Sequence, residues 1–389
     1  MKRILYVNDL SAGDYVKDIS ENNILTVLDG ADCLCILADL PLAEANAQEV
    51  VETLLPLVKE NECDCLFTLD YYPILSLACG AMGIKYLAWI VSAYKPGFFD
   101  YSVKNPWNIL FASNKSLVRD YEEMGVSNVS FLPLASDSDI EPICTETIPE
   151  DRDFSDIFII SNCIKKPSSL GTKLNGLLDS TKGYLDGCVE NRKRTISDAP
   201  FFLSLPEYVK KDITDSYGFK VDSLENTAHL FDHRVFFPHI DESIGREFFL
   251  RRFGYPPDYR VVCDFEIEMD EGDPSRIDQE KAEEIMRDKK RVCICAFVSA
   301  IGDGSCVSKE MWKMMAKGHL TILPSFVDTS FIQNCEIPKY SNVHELQQII
   351  RRYMTDYDER VAVAKAVQDA VKASGGFEDR VNRILQATD

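Results

Sequence analysis

Apolar residues in this chain fall into short blocks of two alternating kinds. Ile4–Val7, Ile24–Leu28 and Cys33–Leu37 are contiguous runs of strand length. Ala45–Lys59 instead carries Val50, Leu54, Leu57 and Val58 at helical spacing. The alternation continues. Cys65–Leu69 reads as a strand, Ile74–Met82 as a helix and Tyr86–Val91 as a strand. Ile109–Ala112, Ser116–Met124 and Val129–Leu132 repeat strand, helix, strand. Gly83 and Gly125 stand where helices should stop. Such alternation predicts a parallel sheet with both faces covered.

The pattern breaks at Ala135–Asp153, which is rich in Ser, Asp, Glu and Pro, has no period and reads as a linker. A second alternating region opens with the strand Ile157–Ile160, and a mostly helical stretch follows from about Leu170 to Phe253. Val292–Val298 reads as a strand, Ser308–Lys317 as a helix and Leu320–Leu323 as a strand. Val343–Tyr353, Arg360–Lys372 and Phe377–Leu385 read as closing helices. The expected fold is therefore α/β. Two Rossmann-like domains face each other across a cleft, and the second carries a helical insertion. In open α/β sheets ligands bind outside the carboxyl ends of the strands.

Composition narrows the partners. The 389 residues include 42 Lys and Arg against 63 Asp and Glu, a net charge of −21. That field disfavours general nucleic-acid or anionic-membrane binding. Thirteen cysteines include three C-x-C pairs, Cys33 with Cys35, Cys63 with Cys65, and Cys293 with Cys295, but no C-x-x-C. Each pair lies in an apolar run, so these are expected to be core thiols of a reducing cytoplasm rather than disulfides or metal ligands. No run of eighteen apolar residues occurs, so no membrane span is expected, and a cytoplasmic location is.

The sharpest local feature is Ser299-Ala300-Ile301-Gly302-Asp303-Gly304-Ser305, between a strand and a helix. Two glycines permit a tight turn, and Ser305 or Ser308 can cap the helix. The free amides there favour a phosphate, and Lys309 adds a cation. Ser299, Gly302, Gly304, Ser308 and Lys309 are thus the candidate phosphate-binding residues, against an ordinary strand-to-helix turn. Asp70, directly after the strand Cys65–Leu69, is the candidate catalytic base. Its simpler reading is a helix N-cap, which Pro73 supports. His229 and His233 have metal-ligand spacing, with His239 and Asp241 beyond, but the phenylalanines around them favour packed histidines. Asp264, Glu266 and Glu268 alternate with apolar residues, and Asp270, Glu271 and Asp273 follow, as a solvated edge strand would.

The stretch Asp70-Tyr71-Tyr72-Pro73-Ile74-Leu75, running on to Gly83-Ile84-Lys85-Tyr86-Leu87-Ala88-Trp89, resembles the N-terminal domain of the CgeB-like (spore-maturation-type) bacterial glycosyltransferases. Val129–Ala135, Lys182–Gly187, Tyr340–Leu346 and Asp358–Arg360 are similar to later parts of that family. The resemblance implies a GT-B architecture, with a nucleotide-sugar donor on the second domain and a protein or cell-surface glycan acceptor on the first. It implies domains at 1–145 and 146–375, with a terminal helix, 376–389, returning to the first. It implies no cofactor and no metal, and leaves homo- or hetero-oligomerisation open. The donor side departs from the family pattern. Glu310 stands where a phosphate-pairing Arg is usual, Lys313 where an acid is, and His319 replaces a glycine. A carboxylate near a diphosphate repels it. Two expectations follow: a nucleotide-sugar glycosyltransferase, or a non-catalytic relative serving as a partner subunit or glycan-binding protein with a degenerate donor site.

Overall fold

The computed structural model describes residues 2–31, 33–43, 45–92, 94–136, 157–161, 174–197, 199–217, 224–250, 259–263, 276–277, 292–298 and 306–387. The chain divides into two compact units, 1–138 with 375–389, and 139–374.

In the first unit β1 (Lys2–Asp9), β2 (Cys33–Leu40), β3 (Cys65–Leu69), β4 (Lys85–Ile90), β5 (Asn108–Ala112) and β6 (Val129–Phe131) form one sheet. The strand order is β2-β1-β3-β4-β5-β6, and every pairing is parallel. The central strands are buried along their lengths: Ile4, Leu5, Leu66, Phe67, Leu87 and Trp89 are all inaccessible to solvent. That follows from the helices α1 (Asp14–Ile19), α2 (Leu25–Gly30), α3 (Ala47–Asn61), α4 (Pro73–Met82) and α5 (Lys115–Glu123) connecting the strands. Asn46 and Glu49 close a reciprocal capping box at the start of α3.

Ile24–Leu28, read from sequence as a strand, is helical instead. A π turn, Ser20–Ile24, joins α1 to α2. One extra residue in that turn returns Ile24 and Leu28 to the buried side already held by Val16 and Ile19. A five-residue apolar run does not by itself distinguish the two.

In the second unit β7 (Ile157–Ser161), β8 (Tyr259–Cys263), β9 (Arg276–Ile277), β10 (Ile294–Phe297), β11 (Leu320–Pro324) and β12 (Lys339–Tyr340) form a second parallel sheet. Its order is β12-β11-β10-β7-β8-β9. Counted from the first strand of the unit this is 3-2-1-4-5-6, the order of dinucleotide-binding folds. The helical stretch comprises α6 (Asp179–Arg192), α7 (Glu207–Tyr217), α8 (Leu224–Phe231) and α9 (Phe237–Leu250). It shares one core with the sheet, in which Leu185, Val209, Phe231 and Ile240 join Ile157, Ile159 and Ile294. The helices α10 (Lys309–Lys317), α11 (Val343–Thr355) and α12 (Tyr357–Ala373) complete the unit.

The last helix, α13 (Phe377–Gln386), belongs to the first unit. Phe377 tilts against Trp89 at 6.0 Å between ring centroids. Arg380 Nε donates to the Pro133 carbonyl at 3.0 Å, Ser136 bridges Gly376, and the Lys2 ammonium donates to the Leu385 carbonyl. No helix among the described residues is long and apolar enough to cross a membrane. Residues 137–153 of the linker and the acidic run from Asp264 to Asp273 lie outside the described residues.

Phe377→Ala should lower the stability of the first unit by about 3–5 kcal/mol, the cost of emptying a buried phenylalanine site. Urea unfolding measures the loss. Hydrogen exchange should show the protection disappearing from β4 and not from β10.

Candidate functional site

Each sheet reverses its strand order once, and ligands of open α/β sheets sit at such switch points. In the first unit the reversal lies between β1 and β3, in the second between β7 and β10.

At the first switch point, Asp70 follows β3 directly, as the sequence places it, and is fully buried with φ at +61°. Aspartate is among the few residues that tolerate this left-handed conformation. Its backbone is fixed from both sides. The Asp70 amide donates to the Trp89 carbonyl at 2.8 Å, and Thr68 Oγ1 donates to the Asp70 carbonyl at 2.7 Å. The Tyr86 hydroxyl lies 3.0 Å from Thr68 Oγ1 and accepts the Tyr72 amide at 3.0 Å. The carboxylate does not cap α4, whose N-cap residue is Tyr72 without a side-chain cap bond. Instead Oδ1 accepts the amides of Val91 and Ser92, both at 3.0 Å. Oδ2 accepts Ser92 Oγ at 2.5 Å and Lys95 Nζ at 2.6 Å. Each carboxylate oxygen has two lone pairs, so Asp70 is saturated by the protein's own donors. Its geometry is that of an anchor for the end of β4.

The sequence reading missed Asp9, the last residue of β1. It is 8% exposed. Its Oδ1 accepts Ser11 N at 2.9 Å, Ser11 Oγ at 2.5 Å and Leu42 N at 2.9 Å, while Oδ2 accepts the Tyr72 hydroxyl at 2.8 Å. Burial first, then the Asp70 and Asp9 charges, push the Tyr72 phenol far above its ordinary value, so it remains a donor. The signal that singled out Asp70, an acid at the carboxyl end of an apolar run, applies equally to Asp9.

At the second switch point, Ser299, Gly302 and Gly304 follow β10 but lie outside the described residues. The helix after them is α10. Ser308 caps it, its Oγ accepting Met311 N at 3.3 Å, and Lys309 and Glu310 occupy the first turn. Lys309, Glu310 and Lys313 are half-buried. His319 is not brought to the same place. In a parallel crossover the helix runs back along the strands. Nine residues of α10 therefore separate Ser308 from His319 by about 13 Å of helix. Gly318, at φ +88°, turns the chain into β11, and a Cβ there would meet the Gln368 amide at 2.7 Å. His319 is buried at the amino end of β11, and its Nδ1 accepts Cys293 N at 3.2 Å. Burial, helped by Lys317, lowers its pKa to about 3. It is a neutral core residue, not a contact for a donor.

The other chemically suggestive residues are packed. His233 meets the Phe237 ring edge-on at 5.1 Å, within a π turn. Among the described residues no group of three or more His, Cys, Asp or Glu could hold a metal ion. Burial pushes the Cys35 thiol up to about 11 and those of Cys65 and Cys295 to about 12, so these thiols stay protonated.

Two predictions follow from this geometry. Asp70→Ala should cost about 3 kcal/mol, since it strands buried amides and forces alanine into the left-handed region. Asp70→Asn should cost clearly less in the same urea titration, because Asn keeps an acceptor and tolerates that backbone. His319 has a folded pKa below its unfolded value of about 6.5. Its contribution to stability is therefore complete above pH 6.5 and is lost as pH falls toward 3. The stability difference between wild type and His319→Leu should shrink by about 1.4 kcal/mol per pH unit across that window. A constant difference would contradict the assignment.

No protein-family model matches the chain, and no curated protein matches it. Solved structures do. A glycosyltransferase from Rickettsia africae ESF-5 superposes with a TM-score of 0.52 at 12% identity, covering 100% of this chain and 97% of that one. The sucrose-phosphate synthase (tll1590) of Thermosynechococcus elongatus gives 0.50 at 9% identity, with 100% and 98% covered. Anabaena Alr3699/HepE in complex with UDP-glucose also gives 0.50 at 9% identity, covering 100% and 99%. At these identities the likeness establishes the fold. Two parallel α/β sheets, matched over the whole chain, make this a GT-B fold.

Proposed function

We propose that the protein is a glycosyltransferase that moves a sugar from a nucleotide-sugar donor to a protein or cell-surface glycan. The observation that carries the reading is the pair of switch points in a chain whose whole length matches a GT-B protein bound to UDP-glucose. On this reading the donor diphosphate lies against the start of α10, where free amides, the helix dipole and Lys309 supply positive charge. Such a site needs no metal ion and no cofactor. The acceptor belongs to the first unit. A place among the CgeB-like enzymes, on the segment now seen as α4 and β4, and a cytoplasmic location are parts of the same proposal.

One observation favours the rival reading of a non-catalytic relative. Glu310 sits in the first turn of α10, where a carboxylate opposes a diphosphate. The two readings separate on nucleotide affinity. Wild type should bind UDP or UDP-glucose in calorimetry, in EDTA as well as in magnesium. Lys309→Ala should weaken binding by tenfold or more, the worth of one charge-assisted hydrogen bond of about 1.5–3 kcal/mol. Glu310→Arg should tighten it. Binding seen only in Glu310→Arg would favour the non-catalytic reading.

A further inference from the structure

Parallel sheets are normally covered on both faces, and part of the first unit's sheet is left open. Trp89 of β4 lies level with Phe111 of β5, and α13 covers that part of the face through Phe377. The helix ends at Ala387. Past its end lies an open cavity of about 600 Å³, whose lining includes Lys85, Trp107, Ile109, Phe111, Val129 and Ala387. Ile109, Phe111 and Val129 come from the adjacent strands β5 and β6 and give the cavity an apolar floor. Trp107 is 39% exposed, whereas Trp89 and Trp312 are inaccessible to solvent. Lys85, half-buried, is the one charged side chain of the lining among the described residues.

We propose that this cavity is a ligand site in its own right and that it takes a small aromatic carboxylate. The floor and the Trp107 indole hold a flat ring, by burial of apolar area and by aromatic packing. A lysine ammonium carries three donors, and one suffices for a carboxylate oxygen. A small anion without a ring gains little from one partly exposed lysine, and a neutral ring makes no use of the ammonium. A ring bearing a carboxylate uses both. The volume lies within the range of about 300–1,000 Å³ typical of small-molecule sites. The cavity is separate from the switch point of the same sheet. Lys85 opens β4, and the amides bound by Asp70 follow its end. The six residues of β4 thus put about 20 Å of strand between the two places. The ligand binds there whether or not the chain transfers a sugar.

The test uses the full chain, with 1-naphthoate as probe and 1-naphthalenemethanol as its neutral counterpart. Calorimetry gives affinity and stoichiometry. Quenching of tryptophan fluorescence reports the place of binding, because Trp107 is the exposed tryptophan. Wild type should bind one naphthoate per chain, with Trp107 quenched. It should prefer the acid to the alcohol roughly tenfold, the worth of one charge-assisted hydrogen bond. Lys85→Gln should abolish that preference and leave the affinity for the alcohol unchanged. Trp107→Ala should weaken both ligands roughly tenfold. Both variants replace side chains that are not fully buried, so both should keep the wild-type urea midpoint. Saturating UDP should leave naphthoate affinity unchanged. Equal affinity of wild type for acid and alcohol overturns the assignment. So does an acid preference that survives Lys85→Gln, a folded Trp107→Ala that binds as wild type does, or direct competition by UDP. Binding that emerges only when residues 388–389 are deleted gives the cavity to the segment after α13 and overturns it as well. None of these outcomes touches the glycosyltransferase reading, which stands or falls on nucleotide affinity.

Discussion

One buried carboxylate sets the geometry of the first unit's carboxyl edge. Asp70 turns the chain through a left-handed residue between β3 and α4 and uses all its lone pairs on β4's continuation. An anion this deep is tolerated only when it is fully hydrogen-bonded and paired, and Lys95 supplies the pair. Thr68 and the Tyr86 hydroxyl lock the turn from below and deliver Tyr72 to its place. Tyr72 then reaches Asp9. The ends of β1, β3 and β4 are thus joined by one continuous polar network. Removing any member would leave a buried donor or acceptor without a partner.

The two units solve the same packing problem with different strand orders. The first places β2 outside β1, and the second places β8 and β9 outside β7. In the first unit the end of β1 and the segment after β3 meet at the switch point through Asp9 and Tyr72. The chain's net charge of −21 does not oppose an anionic ligand at such a place. Bulk charge is screened over about 8–10 Å at physiological salt, and in the first turn of α10 Lys309 and Glu310 carry opposite charges.

Much of the fold was legible because parallel strands buried on both faces read as unbroken apolar runs. Cys65–Leu69 and Leu320–Leu323 needed no further signal. Ile24–Leu28 was not legible, because a π turn shifts the helical period by one residue and no residue type announces it. At the candidate site, Asp70 could be placed from sequence, but its saturation could not. Val91, Ser92 and Lys95 come from a different strand end, and only the register of β3 against β4 brings them to it. Asp9 was hidden for the same reason, since Leu42 and Tyr72 are remote in sequence. His319 looked like a donor-side residue while the helix before it was read as a motif. The crossover sends it to the opposite end of the sheet.

The place of α13 in the first unit has a consequence for how the protein is made. Trp89 and the Pro133 carbonyl wait for partners some 250 to 290 residues later in the chain, Arg380 and Phe377. On the ribosome the second unit emerges complete before those residues do. The first unit therefore stays unsealed through the synthesis of the second, with the Trp89 face uncovered, and closes only when α13 has left the exit tunnel. Birth order and folding order are reversed: the half synthesised first is finished last, and any chain released early carries an open hydrophobic seam that marks it for quality control.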